Sequence, residues 1–127
     1  TAEMEQELGA TVLFTPHLVP MVRGILATCY GTATREMAAD EPLQVLREAY
    51  AGEPFVRVSE EPPATKWVAG SNGAVVTARY DARTGRVLAL SAIDNLGKGA
   101  AGQMIQCANL MHGLNEAAGL SATGVFP

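Results

Sequence analysis

The pattern of apolar and polar positions predicts a chain of short strands interrupted by helices. Apolar or β-branched runs predict strands over 11–14, 25–30, 55–58, 66–69, 74–80 and 86–93. Helical spacing predicts a short helix over 3–8, an amphipathic helix between Asp40 and Gly52, and a last helix from about 97 to 111. The run at 25–30 is almost continuously apolar, which is typical of a strand covered on both faces.

The connection between the last two predicted strands indicates how the sheet is built. Asp81-Ala82-Arg83-Thr84-Gly85 is a turn sequence that ends in glycine, and it predicts a β-hairpin. The predicted order β, β, α, β, β, β, β, α lacks the regular alternation of strand and helix found in doubly wound parallel sheets. We therefore predict an α+β fold with a mixed, mostly antiparallel sheet and helices on one face.

Composition and charge narrow the class of protein. The 127 residues suffice for one domain with its own core. Apolar residues make up 48% and charged residues 17%, and the net charge of −4 comes without a basic stripe, so nucleic acid is not an expected partner. The sequence has no apolar run of about 18 residues that would predict a membrane span, and its acidic N-terminus has no apolar signal region. Because its two cysteines do not make a disulfide framework, we expect a cytoplasmic protein.

A glycine-rich motif, Gly97-Lys98-Gly99-Ala100-Ala101-Gly102, opens the last predicted helix. It matches G-x-G-x-x-G, and the free N–H groups of a helix start attract anions. A dinucleotide-binding unit also needs a further strand with an acidic residue about 20 positions on, and the residues after Gly113 are too few for it. Three interpretations stay open: an independent anion- or nucleotide-binding turn, close helix–sheet packing, or a helix start that completes a pocket formed mostly by another domain.

Cysteine and histidine are the other side chains with reactive or metal-binding chemistry. Cys29 lies in an apolar strand and Cys107 in the last helix, so we expect both to be unreactive thiols packed in the core. His112 stands at a helix C-terminus, where it complements the helix dipole. His17, between two prolines, is either a surface residue or part of a pocket. Their spacing does not suit zinc, so no metal site is expected.

Three stretches of the sequence carry a resemblance to an enzyme family. They are Phe14-Thr15-Pro16-His17-Leu18-Val19-Pro20 followed by Arg23-Gly24-Ile25-Leu26-Ala27-Thr28; then Ala49-Tyr50 with Glu53-Pro54-Phe55-Val56; and Ala92-Ile93-Asp94-Asn95-Leu96-Gly97-Lys98-Gly99-Ala100-Ala101-Gly102-Gln103, continuing to Gln106 and Asn109-Leu110-Met111. In order and spacing they resemble the N-acetyl-γ-glutamyl-phosphate reductases, and the similarity spans almost the whole chain.

The resemblance implies an NADPH-dependent enzyme of arginine biosynthesis. Such enzymes reduce an acyl phosphate to the semialdehyde and release phosphate, through a thioester on a cysteine in a Gly-Cys-Tyr-Pro context, with a histidine of a His-Arg-His stretch as acid and base. Neither context occurs in this sequence, nor does the Rossmann domain that holds most of NADP. We therefore expect the catalytic cysteine and histidine upstream of Thr1, and no turnover by this chain alone.

The resemblance also divides the chain. Residues 1–94 are expected to be part of a substrate-binding and dimerisation domain, similar to the C-terminal domain of the glyceraldehyde-3-phosphate dehydrogenase-like fold. Residues 95–127 are expected to be a helix and tail that return to the missing cofactor domain, so the apolar stripe of this helix would be exposed without that domain. Two other functions stay open: a non-catalytic dimerisation or interaction module, and a small anion- or nucleotide-binding module that uses Gly97 to Gly102.

Site residues and partners follow from the same resemblance. Arg23 and His17 are expected to bind the substrate, because a guanidinium suits its carboxylate and phosphate groups. Asn95, Lys98 and Gly99 are expected to contact NADP near the nicotinamide. The expected partners are the small-molecule substrate, a second copy bound through the sheet domain, and the missing N-terminal half.

Overall fold

The computed structural model describes residues 1–125, so Phe126 and Pro127, the end of the predicted tail, lie outside the described residues. The helices are α1 (Ala2–Leu8), α2 (Glu41–Ala49) and α3 (Gly102–Met111), and the strands are β1 (Ile25–Thr32), β2 (Val56–Val58), β3 (Ala74–Asp81) and β4 (Arg86–Ile93). A 3₁₀ turn forms at Thr65–Trp67, and a π-helical turn at Gly97–Ala101 leads directly into α3.

The strands form one four-stranded sheet in the order β1-β4-β3-β2. β4 is antiparallel to both β1 and β3, whereas β2 is parallel to β3. Asp81 shapes the hairpin between β3 and β4, because its Oδ1 accepts a hydrogen bond from the N–H of Arg83 at 2.9 Å and its carbonyl accepts one from the N–H of Thr84 at 3.2 Å. The predicted hairpin and the mixed, mostly antiparallel α+β fold are confirmed.

The two helices that precede β3 also follow local sequence signals. α1 ends at Gly9, as predicted. α2 begins after Asp40 with a proline in its first turn, and its inner side places Leu43 in the core. Among the described residues, no helix is both long enough and apolar enough to cross a membrane.

The core lies at the beginning of β3 and the end of β4. Val75 and Ala92 face each other across these two strands and pack with Val68, all three being almost completely inaccessible to solvent. Trp67 covers this cluster from the 3₁₀ turn. The first residues after β4 are therefore fixed by the best-packed part of the sheet.

Two predicted strands do not form. Residues 11–14 have no regular structure, and the N–H of Val12 donates to Oε1 of Glu5 instead of to a neighbouring strand. The segment 66–69 bends into the 3₁₀ turn, and both the N–H and the hydroxyl of Ser71 return to the carbonyl of Val68. Both predictions were wrong because β-branched and apolar residues form a strand only where another strand supplies backbone partners.

The prediction that the strand at 25–30 is covered on both faces was also wrong. Every residue of β1 is exposed, and β1 is an edge strand that pairs only with β4. Further exposed apolar side chains stand just before it, among them Leu13, Leu18 and Val22. The apolar run identified a strand correctly, but the described residues supply no second layer to cover it.

The packing of β3 predicts a clear difference between two valines. Val75→Ala should lower the free energy of unfolding by about 2 kcal/mol, because it removes two buried methyl groups and leaves a small cavity. Val45→Ala makes the same change on the exposed side of α2, where 57% of the residue is accessible, and should cost less than about 0.5 kcal/mol. Urea denaturation of both variants measures the difference, and equal losses would contradict this description of the core.

Candidate functional site

Asp94, directly after β4, is completely buried. Its carboxylate accepts two hydrogen bonds from Arg23, from Nε at 2.6 Å and from Nη2 at 3.1 Å. Backbone N–H groups complete its shell, from Gly70 at 2.6 Å, Leu96 at 2.8 Å and Gly97 at 2.5 Å. These donors come from the segment before β1, the turn before β3 and the start of the π-helical turn. A single side chain therefore joins three segments that lie far apart in the sequence.

The Asp94 carboxylate is ionised despite its burial. Burial by itself raises its pKa, but hydrogen bonds from the Arg23 guanidinium and from the N–H groups of Gly70, Gly97 and Leu96 outweigh that effect and hold the pKa well below its usual value. The ion pair is bidentate, which fixes the plane of the guanidinium as well as its position. The Arg23 side chain is still 41% exposed, so one edge binds Asp94 while another part reaches the surface.

Asn95 holds the same segment through the next residue along the chain. Its Oδ1 accepts a hydrogen bond from the N–H of Gly24 at 2.7 Å. Gly24 has a φ of +112°, and a Cβ there would lie 2.6 Å from the Cβ of Thr65, so the position requires glycine. Two consecutive side chains after β4 thus fix Arg23 and Gly24, which brings the predicted substrate residue Arg23 beside the predicted cofactor residue Asn95.

The other two residues predicted to contact NADP, Lys98 and Gly99, differ in how exposed they are. Gly99 is exposed, whereas Lys98 is half-buried. The ammonium of Lys98 donates to Oε1 of Gln106 at 2.7 Å and lies 5.7 Å from the centre of the Phe55 ring. Burial lowers the pKa of Lys98, and the nearby negative charge of Glu116 opposes that shift. The ammonium of Lys98 therefore makes its contacts within the domain.

The side of α3 that faces the rest of the domain is polar. Gln106 accepts a hydrogen bond from Nδ2 of Asn72 at 2.8 Å and donates to Oε1 of Glu116 at 2.6 Å. Asn109 donates from Nδ2 to the carbonyls of Glu116 and Ala118, both at 3.0 Å. These contacts tie the helix to the turn before β3 and to the segment that follows α3.

The apolar side of α3 points outward. The apolar stripe that predicted this helix is exposed along its length: Ala101, Met104, Ile105, Ala108 and Met111. The inward residues Gly102, Gln106 and Asn109 have the same helical spacing, i, i+4 and i+7, and are buried. Sequence reasoning missed this polar stripe because it assigned the inner side from the apolar residues alone. The apolar stripe is exposed in this structure, and its contact with a second domain stays a prediction.

The backbone N–H groups of the glycine-rich motif are already used within the chain. The N–H of Gly97 binds the Asp94 carboxylate, and the N–H of Gly99 donates to the Asp94 carbonyl at 2.8 Å. The N–H of Lys98 donates to the carbonyl of Ser71 at 3.3 Å. The anion that this helix start attracts is thus an aspartate of the same domain, which weighs against an independent anion-binding turn.

Close packing explains two glycines of the motif. A Cβ at Gly97 would lie 2.2 Å from the carbonyl oxygen of Ser71, and one at Gly102 would lie 2.3 Å from Oδ1 of Asn72. Ser71 and Asn72 are themselves almost completely buried. The run Gly70-Ser71-Asn72-Gly73 was the sequence signal for this turn, since such residues cluster in turns, and the strand predicted just before it obscured the signal.

The two cysteines and two histidines lie at the surface. Cys29 and Cys107 are exposed, so the prediction that both pack in the core was wrong. Cys29 stands on the uncovered strand β1, and Cys107 on the outer side of α3, where its Sγ accepts a hydrogen bond from Gln103 at 3.4 Å. His17 and His112 are exposed. Among residues 1–125, no cluster of three His, Cys, Asp or Glu could hold a metal ion.

Comparison with known families gives this arrangement its context. The profile described as "Semialdehyde dehydrogenase, dimerisation domain" matches residues 1–95, which is most of the chain. The chain belongs to this family. The matched region of this semialdehyde dehydrogenase dimerisation domain includes Arg23, Asp94 and Asn95. Helix α3 follows that region.

Curated relatives of this semialdehyde dehydrogenase dimerisation domain carry the name N-acetyl-gamma-glutamyl-phosphate reductase. The protein of Bradyrhizobium sp. (strain ORS 278) is 54% identical over 119 residues, which is 94% of this chain and 36% of that protein. The protein of Frankia casuarinae is 56% identical over 122 residues, 94% of this chain and 36% of its own length. The chain therefore spans just over a third of the length of these relatives.

The ionised Asp94 predicts a specific pH dependence of stability. Asp94→Asn should lower the free energy of unfolding by about 2 to 3 kcal/mol at neutral pH, because it removes the charge from several hydrogen bonds. The folded pKa lies below the unfolded value of about 3.9, so the wild-type advantage is full above that value and is lost as the pH falls towards the folded pKa. Urea denaturation of both proteins at a series of pH values should show the difference shrinking in acid. A difference that does not change with pH would contradict a charged Asp94.

The glycine-rich motif predicts a second stability difference. Gly97→Ala should destabilise the domain by about 1 to 3 kcal/mol, because the new Cβ must displace the carbonyl of Ser71. Gly31→Ala is the matched control, since nothing lies within 4 Å of a Cβ at that position on β1. Thermal unfolding compares the two variants, and an unaffected Gly97→Ala protein would refute the packing explanation.

Proposed function

We propose that this chain is the C-terminal part of an NADPH-dependent N-acetyl-γ-glutamyl-phosphate reductase. The complete enzyme would convert N-acetyl-γ-glutamyl phosphate to the semialdehyde and phosphate in arginine biosynthesis, with its catalytic cysteine and histidine upstream of Thr1. A cytoplasmic location belongs to the same proposal. The observation that carries it is the extent of the likeness, about half of all positions over nearly the whole chain, to proteins that bear this name.

In this proposal Arg23 is the residue of the chain that meets the substrate. Asp94 binds one edge of the guanidinium, and 41% of the side chain stays exposed. A planar guanidinium suits both the carboxylate and the phosphate of an acyl phosphate. The second proposed substrate residue, His17, is exposed in the segment that leads to Arg23.

We assign the edge of an NADP site to the start of α3. NADPH, when bound, supplies the hydride. Asn95 and Gly99 fit a place at the nicotinamide end, since Asn95 is only half-buried and Gly99 is exposed. Lys98 belongs to the same proposal through its positive charge, although its ammonium donates to Gln106 in this structure. The greater part of the cofactor would be held by the upstream domain.

A second copy of the chain is the proposed partner of the sheet. β1 is exposed along its whole length, and large apolar side chains just before it, such as Leu18 and Val22, are fully exposed. Apolar surface of this extent is typical of a protein–protein interface. The family description, a dimerisation domain, supports a second copy as the occupant. A domain that only dimerises, without contributing to catalysis, is the alternative that this surface favours.

Activity of the complete protein tests the proposal. The full-length protein that contains this segment should oxidise NADPH only when N-acetyl-γ-glutamyl phosphate is present, releasing one phosphate for each NADPH consumed. The 127-residue chain alone should show no turnover, because neither of its cysteines lies in the context of the proposed nucleophile. NADPH absorbance and phosphate release, measured in the same sample, check both expectations. A full-length protein that dimerises but leaves NADPH unchanged would favour the dimerisation-only alternative.

A further inference from the structure

The residues proposed to meet substrate and cofactor are connected through one carboxylate. Asp94 binds Arg23 on one side and the N–H groups of Leu96 and Gly97 on the other. Asn95, a proposed cofactor residue, binds the N–H of the residue after Arg23. The Arg23 segment and the start of α3 therefore share a support that belongs to neither of them.

We propose that Asp94 is a positioning residue of the reductase, which holds the Arg23 guanidinium in the orientation that binds the anionic substrate. This inference rests on the proposed function and extends it, because it assigns a role to a buried residue that touches neither substrate nor cofactor.

The geometry of the pair supports positioning over simple charge balance. Oδ2 of Asp94 receives both Arg23 Nε and the N–H of Gly70, while Oδ1 receives Arg23 Nη2 and the N–H groups of Leu96 and Gly97. The backbone donors fix the carboxylate in the protein frame, and the carboxylate then fixes the guanidinium through two bonds. An arginine on the irregular segment before β1 would otherwise sample many rotamers, since its side chain is long and partly exposed.

The backbone before Arg23 does not provide this order. Residues 9–24 form no helix or strand, and many of their side chains are exposed. The backbone is first held tightly at Gly24, directly after Arg23, by the hydrogen bond to Asn95 and the close approach of Thr65. Pre-organisation of Arg23 therefore depends on its side chain bonds to Asp94, and this order lowers the entropic cost of binding an anion.

A double-mutant cycle in the full-length enzyme tests the proposal. The variants are Asp94→Asn, Arg23→Ala and the two combined, with kcat and KM measured separately for N-acetyl-γ-glutamyl phosphate and for NADPH. Glu60→Gln is the matched control, because it breaks an exposed ion pair with Arg47 at 2.6 Å, outside the proposed site. Thermal unfolding of each variant reports any loss of folded protein independently of the kinetic constants.

We expect Asp94→Asn to raise the KM for the acyl phosphate by about tenfold to a hundredfold, as misplacement of a binding group does. Arg23→Ala should raise it by at least as much, and Asp94→Asn should add little in the Arg23→Ala background. The KM for NADPH should change much less, because the side-chain oxygen of asparagine can still accept the N–H groups of Leu96 and Gly97 at the start of α3. Glu60→Gln should match the wild type. A purely structural role would lower the melting temperature and leave the KM of the folded enzyme unchanged.

Arg23→Lys keeps the test decisive if Asp94→Asn does not fold. An ammonium cannot make both bonds to the carboxylate, so the KM for the acyl phosphate should rise although the charge is retained. An unchanged KM in Arg23→Lys, or multiplicative effects in the cycle, would overturn the positioning role in an otherwise active enzyme. A wild-type protein that does not reduce the acyl phosphate would reject the proposed function, and this inference with it.

Discussion

Burying the carboxylate of Asp94 is possible only because donors from three segments converge on it. A buried charge without such donors would cost several kcal/mol, so the segment before β1, the turn at Gly70 and the start of α3 must all be in place together. The best-packed part of the sheet, at Val75 and Ala92, sets the position of Asp94 itself. The three segments at the site are thus ordered because the buried carboxylate at the end of β4 needs hydrogen-bond donors from each of them.

The parts of the fold that local chemistry determines were predictable from the sequence. The turn at Asp81 and the glycine that ends α1 act within a few residues, so the hairpin and the helix bounds followed from them. The parallel pairing of β2 with β3, and the absence of a strand at 11–14, depend on which segments meet in space. A window of a few residues contains no information about such pairings, nor about whether another segment covers β1.

The site was predictable to a smaller extent. The resemblance pointed to Arg23 and Asn95, and the structure brings them together, but their common support could not be seen in the sequence. Asp94 and Arg23 are separated by 71 positions, and each has an ordinary local explanation, a turn residue and a surface cation. The polar stripe of α3 was visible at Gln106 and Asn109, but the apolar stripe on the opposite side has the same period and is usually the inner one.

In α3, the residues that orient the helix differ from the residues that are open to contact. The first are polar and face inward, and the second are apolar and exposed. Hydrogen bonds are directional, so Gln106 and Asn109 fix the rotation of α3 about its own axis through contacts within its own chain. Apolar contact is non-directional and scales with area. A surface that docks on Met104 and Met111 therefore needs only to be apolar and of suitable shape. Many apolar side chains can meet that requirement, whereas Gln106 and Asn109, on the inner side of α3, each bind specific partners.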